Sequence, residues 1–141
     1  MKKWIVILVI VVVVLAGVCI YAFAERPIVP DGYVISNLDT VVITYNPSYP
    51  GDYSSDEQLS INADELLAIL KTAKCRLSLG RDTPFFSEDM QYQFSVALSN
   101  GKNTRHATIY LGKDSWVQIG SFNYKILNAG DLMSALNVIK A

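Results

Sequence analysis

Chemistry-bearing side chains are scarce in this 141-residue chain, which holds one histidine, two cysteines and eight glycines that never stand within two residues of one another. A zinc centre needs three or four convergent ligands, and His106 with a single cysteine in the domain does not supply them. Gly101, Gly112, Gly120 and Gly130 are isolated punctuation, so a glycine-rich phosphate loop is absent, as is any Gly-x-Ser-x-Gly elbow. Asp52-x-Ser54-x-Asp56 has the alternating oxygens of a calcium loop, but Glu57 and Ala63 fall where an EF-hand needs glycine and glutamate. The carboxylate pairs Asp56-Glu57 and Glu88-Asp89 are adjacent in sequence, which does not place two acids across a glycosidase cleft. No cofactor and no metal is expected. Cys19 falls in an apolar run and Cys75 in the domain, so a disulfide between them is topologically implausible, and Cys75 reads as a buried thiol.

Basic charge is also thin. Without Lys2 and Lys3 the twelve basic residues fall to ten against thirteen acids, leaving a net charge near −3 on the part beyond the anchor. Nucleic acid and anionic lipid headgroups, which need clustered lysine or arginine, are poor partners on that balance.

Against this scarcity stands one long apolar run. Trp4 to Phe23 carries no charge, follows Met1-Lys2-Lys3 and precedes Glu25-Arg26-Pro27. As a helix, Trp4 to Ala24 measures about 31 Å, which matches the ~30 Å hydrocarbon thickness of a bilayer. Ala22-Phe23-Ala24 also offers a small-x-small exit, so residues 1–24 are either a signal anchor or a signal peptide cut after Ala24; the length of the run favours the anchor. Leu15-Ala16-Gly17-Val18-Cys19 misses a lipoprotein box because Val18 stands where a small residue must precede the cysteine. Lys2 and Lys3 put the amino end in the cytoplasm and everything after Glu25 outside, or secreted if cleavage occurs.

Beyond the anchor, about 117 residues suffice for one domain with its own core. Pro27, Pro30 and Asp31-Gly32 mark residues 25–37 as a spacer, which leaves 38–141 as an extracytoplasmic domain. Val41-Val42-Ile43, flanked by Thr40 and Thr44, predicts a strand ending at Tyr45. A breaker-rich loop follows from Asn46 to about Leu59 and is longer than most connections. Asn62 caps the next helix with Glu65 at N3, and Ala63, Leu66, Leu67, Leu70 and Ala73 share its buried face. Met90, Tyr92, Phe94, Val96 and Leu98 alternate with polar or small residues, and Ala107, Ile109 and Leu111 alternate with His106, Thr108 and Tyr110 on the return strand. Turns at Gly112-Lys113-Asp114 and Gly120-Ser121 continue a meander through Trp116–Ile119 and Phe122–Ile126. Leu127-Asn128-Ala129-Gly130-Asp131 then repeats the staple, cap and N3 acid of the first helix. The fold expected is α+β: an N-terminal transmembrane helix followed by one antiparallel sheet of about four or five strands covered by two helices.

Tyr45, Tyr49 and Tyr53 recur every four residues, with Pro47 and Pro50 between them. Tyrosines in such a loop offer amphipathic contact area, and with Trp116 they form the expected binding residues. His106 falls on the face opposite Ala107 and Ile109 and is expected to meet solvent. A Lys-Lys amino end, a long Val/Ile anchor, a short proline spacer and a strand, capped helix, meander and second capped helix together resemble the small membrane-tethered extracytoplasmic proteins of Gram-positive bacteria. The resemblance covers the layout of the whole chain and transfers no catalytic or binding residue. These features point to a non-enzymatic interaction or sensing module that binds a protein or an envelope polymer. The alternatives are a small envelope hydrolase using His106 with nearby acids, and an accessory subunit of a larger membrane protein.

Overall fold

The apolar run forms one helix, α1 (Lys2–Phe23), and none of its residues is buried by the rest of the chain. Trp4 and Tyr21 stand exposed near its two ends, and the rise between them is about 26 Å, so the two aromatics bracket nearly the full thickness of a hydrocarbon layer. The computed structural model describes residues 2–36, 39–47, 49, 57–78 and 90–140.

The domain is α+β as expected, but its antiparallel sheet has nine strands rather than four or five. They are β1 (Arg26–Pro27), β2 (Val34–Ile35), β3 (Thr40–Tyr45), β4 (Glu57–Asn62), β5 (Lys74–Leu77), β6 (Met90–Ser99), β7 (Thr104–Gly112), β8 (Trp116–Ile119) and β9 (Phe122–Ile126). The order across the sheet is β1-β5-β9-β8-β7-β6-β3-β4, with β2 also paired to β6. Three of the added strands lie where spacer and loop were expected. β1 and β2 fall within 25–37, and the start of β4 falls within the loop after Tyr45. Each is held by its partner's backbone and not by an apolar alternation of its own. β4, for example, pairs with β3 along its whole length from Thr40↔Asn62 to Tyr45↔Glu57, although only Ile61 in it is buried. The expected spacer is likewise tied in: Ile28 and Val29 are buried in the core, and the Ile28 amide donates to the Ala73 carbonyl.

The pleat separates two faces. In β6, Tyr92, Phe94, Val96 and Leu98 are buried, and their partners Leu111, Ile109, Ala107 and Arg105 carry the same face into β7. Val41 and Ile43 of β3, Val117 of β8, Ile126 of β9 and Cys75 of β5 extend it into one continuous core. Two helices cover that face, α2 (Ala63–Leu70) against β2, β3 and β4, and α3 (Ala129–Lys140) against β7, with α2 and α3 in contact. Leu66 and Leu70 of α2 and Leu132 and Leu136 of α3 are fully buried, each worth on the order of 2 kcal/mol of apolar transfer.

α2 begins as its sequence predicts. The Asn62 side chain accepts from the Asp64 and Glu65 amides, and Ala63, Leu66, Leu67, Leu70 and Ala73 are all buried. The start of α3 differs. The Asn128 side chain reaches across to the α2–β5 connection, where its Nδ2 donates to the Thr72 carbonyl at 2.7 Å and its Oδ1 accepts from the Lys74 amide at 2.9 Å. The Leu127 amide adds a bond to the Lys74 carbonyl. A residue with the sequence signature of a local cap is thus spent on a tertiary link between the two helix ends.

Only Ala24 and Glu25 separate α1 from β1, and Arg26 joins them. Its Nη2 donates to the Tyr21 and Ala22 carbonyls at 2.8 and 3.1 Å, satisfying acceptors that the last turn of a helix leaves open and placing a cation at the negative end of its dipole. The same guanidinium lies 5.8 Å from the Tyr21 ring centre and 5.7 Å from that of Tyr124, while the Arg26 backbone pairs with Cys75. Glu25 meets Lys74 at 3.4 Å beside it.

Candidate functional site

The expected binding residues do not form one exposed cluster. Tyr45 closes β3 on the core side, half-buried against Tyr92, with ring centres 6.1 Å apart and planes tilted by 30°. Glu57 lies directly opposite in β4, and its carboxylate accepts a hydrogen bond from the Tyr45 hydroxyl, which raises the phenol above its ordinary pKa by favouring the protonated form. Tyr92 in turn donates its hydroxyl to Asn137 Oδ1 on α3, which also accepts from Gln91 Nε2 at 3.2 Å. Tyr49 is half-buried in a turn whose amide returns to the Asn46 carbonyl. Tyr53 and the Asp52-x-Ser54-x-Asp56 pattern lie outside the described residues, as do Glu88 and Asp89.

Trp116 departs from the expectation of an exposed contact residue. It is 1% exposed and stacks on Tyr110, with ring centres 4.1 Å apart and planes within 18°, and Met90 completes a small cluster. The cause is register. The tight turn after Gly112 is closed by Ser115, whose Oγ both accepts from the Gly112 amide and donates to its carbonyl, and this sets Tyr110 directly opposite Trp116. That pairing was implicit in the turn at Gly112-Lys113-Asp114, because residues equidistant from a hairpin turn face each other.

His106 is exposed, as its place in the alternation predicts, and sits opposite Ala97. Its neighbours in the adjoining cleft are Thr104, Arg105, Ser121, Phe122 and Tyr124, with no carboxylate among them. No group of three or more metal-ligating side chains occurs among the described residues. Cys75 is buried at the centre of β5, and burial pushes its thiol up to about 11, with Arg26 and Arg105 pulling weakly the other way. A thiol so placed is protonated and inert at neutral pH.

The sheet face turned away from α2 and α3 has a different character. From β4 across to β9 it presents Gln58, Ser60, Thr44, Gln93, Ser95, Thr108, Gln118 and Asn123, mostly uncharged hydrogen-bonding groups, interrupted by exposed Val42, His106 and Lys125 and by the buried Tyr110–Trp116 pair. Ser95 and Thr108 lie opposite each other with their hydroxyls 3.1 Å apart. No described helix packs on this face. Period-two alternation carries the signal for it, because every second residue of β6 and β7 is polar or small, but loop tyrosines draw attention away from it.

No family model, curated protein or solved structure matches this chain. Its function must therefore be argued from the apolar helix α1, the sheet faces and the junction between them.

Proposed function

We infer that this protein is a single-pass, membrane-anchored, extracytoplasmic binding module that is not an enzyme and that engages an envelope polymer or a protein through the open face of its sheet. The observation that carries this is α1, a 22-residue apolar helix with no residue buried against the domain to which it is joined. Leaving that much apolar surface in water is unfavourable by tens of kcal/mol at ~25 cal/mol per Å2, and a bilayer is the solvent that removes the cost. Lys2 and Lys3 favour a cytoplasmic amino end, which supports a domain on the outer side. The uncharged amide and hydroxyl groups of the open face suit a polymer rich in the same groups.

One experiment with two arms tests both halves. Protease added to intact cells should remove the domain and leave a membrane-embedded stub. The full chain in detergent should co-sediment with isolated envelope polymer and lose this with Ser95→Arg, which plants a charge at the centre of the open face, but not with Ala68→Arg on the exposed side of α2. A domain protected from external protease, or binding indifferent to Ser95→Arg, would overturn the corresponding half.

A further inference from the structure

The junction between anchor and sheet encloses a cleft of about 340 Å3 whose walls include Tyr21, Glu25, Arg26, Arg105, Ile119 and Tyr124. A second cleft of about 430 Å3 shares Arg105, Ile119 and Tyr124 and runs on past His106 to Phe122 at the β8–β9 turn. We propose that the first cleft seats the phosphate of an anionic phospholipid headgroup from the leaflet that α1 leaves, held by Arg105 and Arg26 between the Tyr21 and Tyr124 rings.

Three observations carry this, which rests on α1 being a membrane anchor. Position is the first: Tyr21 lies in the last turn of α1 at the level of the aromatic belt, where headgroup phosphates are found, and it forms a wall of the cleft. Charge is the second. Two guanidiniums line the cleft, while its one acid, Glu25, is paired with Lys74. Arg26 spends Nη2 on the helix carbonyls and keeps its other donors, and Arg105, which rests 5.6 Å over the Tyr33 ring, has no carboxylate partner among the described residues. A planar fork fixed by an aromatic neighbour is suited to phosphate oxygens. The third is Phe122, 60% exposed at the far end of the second cleft, an apolar ring available to the interface on the side where the phosphate would sit. The net charge near −3 argued against anionic lipids, but it averages over a surface on which these two cations are placed together.

The test is native mass spectrometry of the full chain in nonionic detergent, titrated separately with dioleoyl phosphatidylglycerol and dioleoyl phosphatidylcholine. The anionic lipid should form adducts at roughly 25-fold lower concentration, since each of the two arginines near an anionic group contributes about fivefold. Arg105→Gln should lower that preference about fivefold, Arg105→Lys should keep most of it, and Lys71→Gln, on the helix-covered side, should leave it unchanged. Equal affinity for the two lipids, or Arg105→Gln matching the wild type, would overturn the proposal. Displacement of the adduct by millimolar inorganic phosphate would overturn it too, in favour of a soluble phosphate ligand. Resistance of the chain to alkaline extraction from vesicles is measured alongside, so loss of the anchor and loss of lipid selectivity are told apart.

Discussion

Asn128→Ala removes a side chain that ties the start of α3 to the end of α2. It makes two hydrogen bonds to backbone groups, at 2.7 Å to the Thr72 carbonyl and 2.9 Å from the Lys74 amide, both near solvent. Water can replace each partner, so each bond is worth about 1 kcal/mol net and the pair about 2 kcal/mol. At an m-value of about 2 kcal/mol/M, the urea midpoint should fall by about 1 M. The assay is urea unfolding of the full chain in detergent on a Trp4→Phe background, which leaves Trp116 as the sole indole fluorophore. A loss of that size would also follow if Asn128 were simply a helix cap, and Asn128→Asp and Asn128→Ser separate the two cases. Aspartate and serine cap helices about as well as asparagine. Aspartate, however, replaces the donor to Thr72 with a second oxygen facing a carbonyl, and serine is too short to reach the connection. Both should therefore lose at least about 1 kcal/mol. If either unfolds within ~0.3 kcal/mol of the wild type while alanine is destabilised, the cross-link contributes nothing and the residue is a cap.

Trp116→Ala should cost about 3–5 kcal/mol, the usual range for a fully buried tryptophan, and Trp116→Phe considerably less, because a phenyl ring can still stack on Tyr110; thermal melts of the two variants check this, and a stable Trp116→Ala protein would return the residue to the surface. Cys75 makes stability fall at alkaline pH. The folded chain holds its thiol proton up to about 11 against an ordinary value of 9.0, so the unfolded chain gives the proton up first. The contribution is complete below pH 9 and is lost as pH rises toward 11, on the order of 3 kcal/mol. Cys75→Ala should flatten the drop in urea midpoint between pH 8 and pH 11 relative to the wild type, and an unchanged slope would show that the thiol is solvated.

How much of this was legible beforehand depends on what kind of interaction forms each part. β6 and β7 were readable because burial imposes a period of two on their side chains, and α2 because Asn62, Leu66 and Leu70 satisfy a cap and a helical stripe at once. The short strands were not, since β1, β2 and β4 are stabilised by backbone hydrogen bonds that any side chain can make. Asn128 shows a related limit. Its local sequence is that of a cap, and only the position of Thr72 and Lys74 in space decides otherwise. For the candidate site, the exposure of His106 and the burial of Cys75 followed from alternation. Trp116 was misplaced because its type suggested a contact residue while its register, available from the same turn, put it against Tyr110. Arg26 was passed over as part of a spacer, although it flanks the apolar run at the distance needed to reach back to the last helical carbonyls.

Arg26 also bears on what the module can reach. A proline spacer would let the domain sample a shell of solvent above the bilayer. In this fold the three steps from Phe23 to Arg26 span at most about 11 Å, and Arg26 belongs to the sheet through its pairing with Cys75 and to α1 through its bonds to Tyr21 and Ala22. The edge strand β1 therefore begins only two intervening residues after the end of α1, with Ile28 and Val29 drawn straight into the core. With α1 in a bilayer, as proposed, any partner of the open sheet face would lie close to that bilayer, and lipid headgroups would be within reach of the same edge without any motion of a tether. Lengthening the link by a few glycines between Glu25 and Arg26 would keep both the anchor and the domain while separating Tyr21 from Tyr124, so dependence on that spacing is what distinguishes a domain seated on its membrane from one merely attached to it.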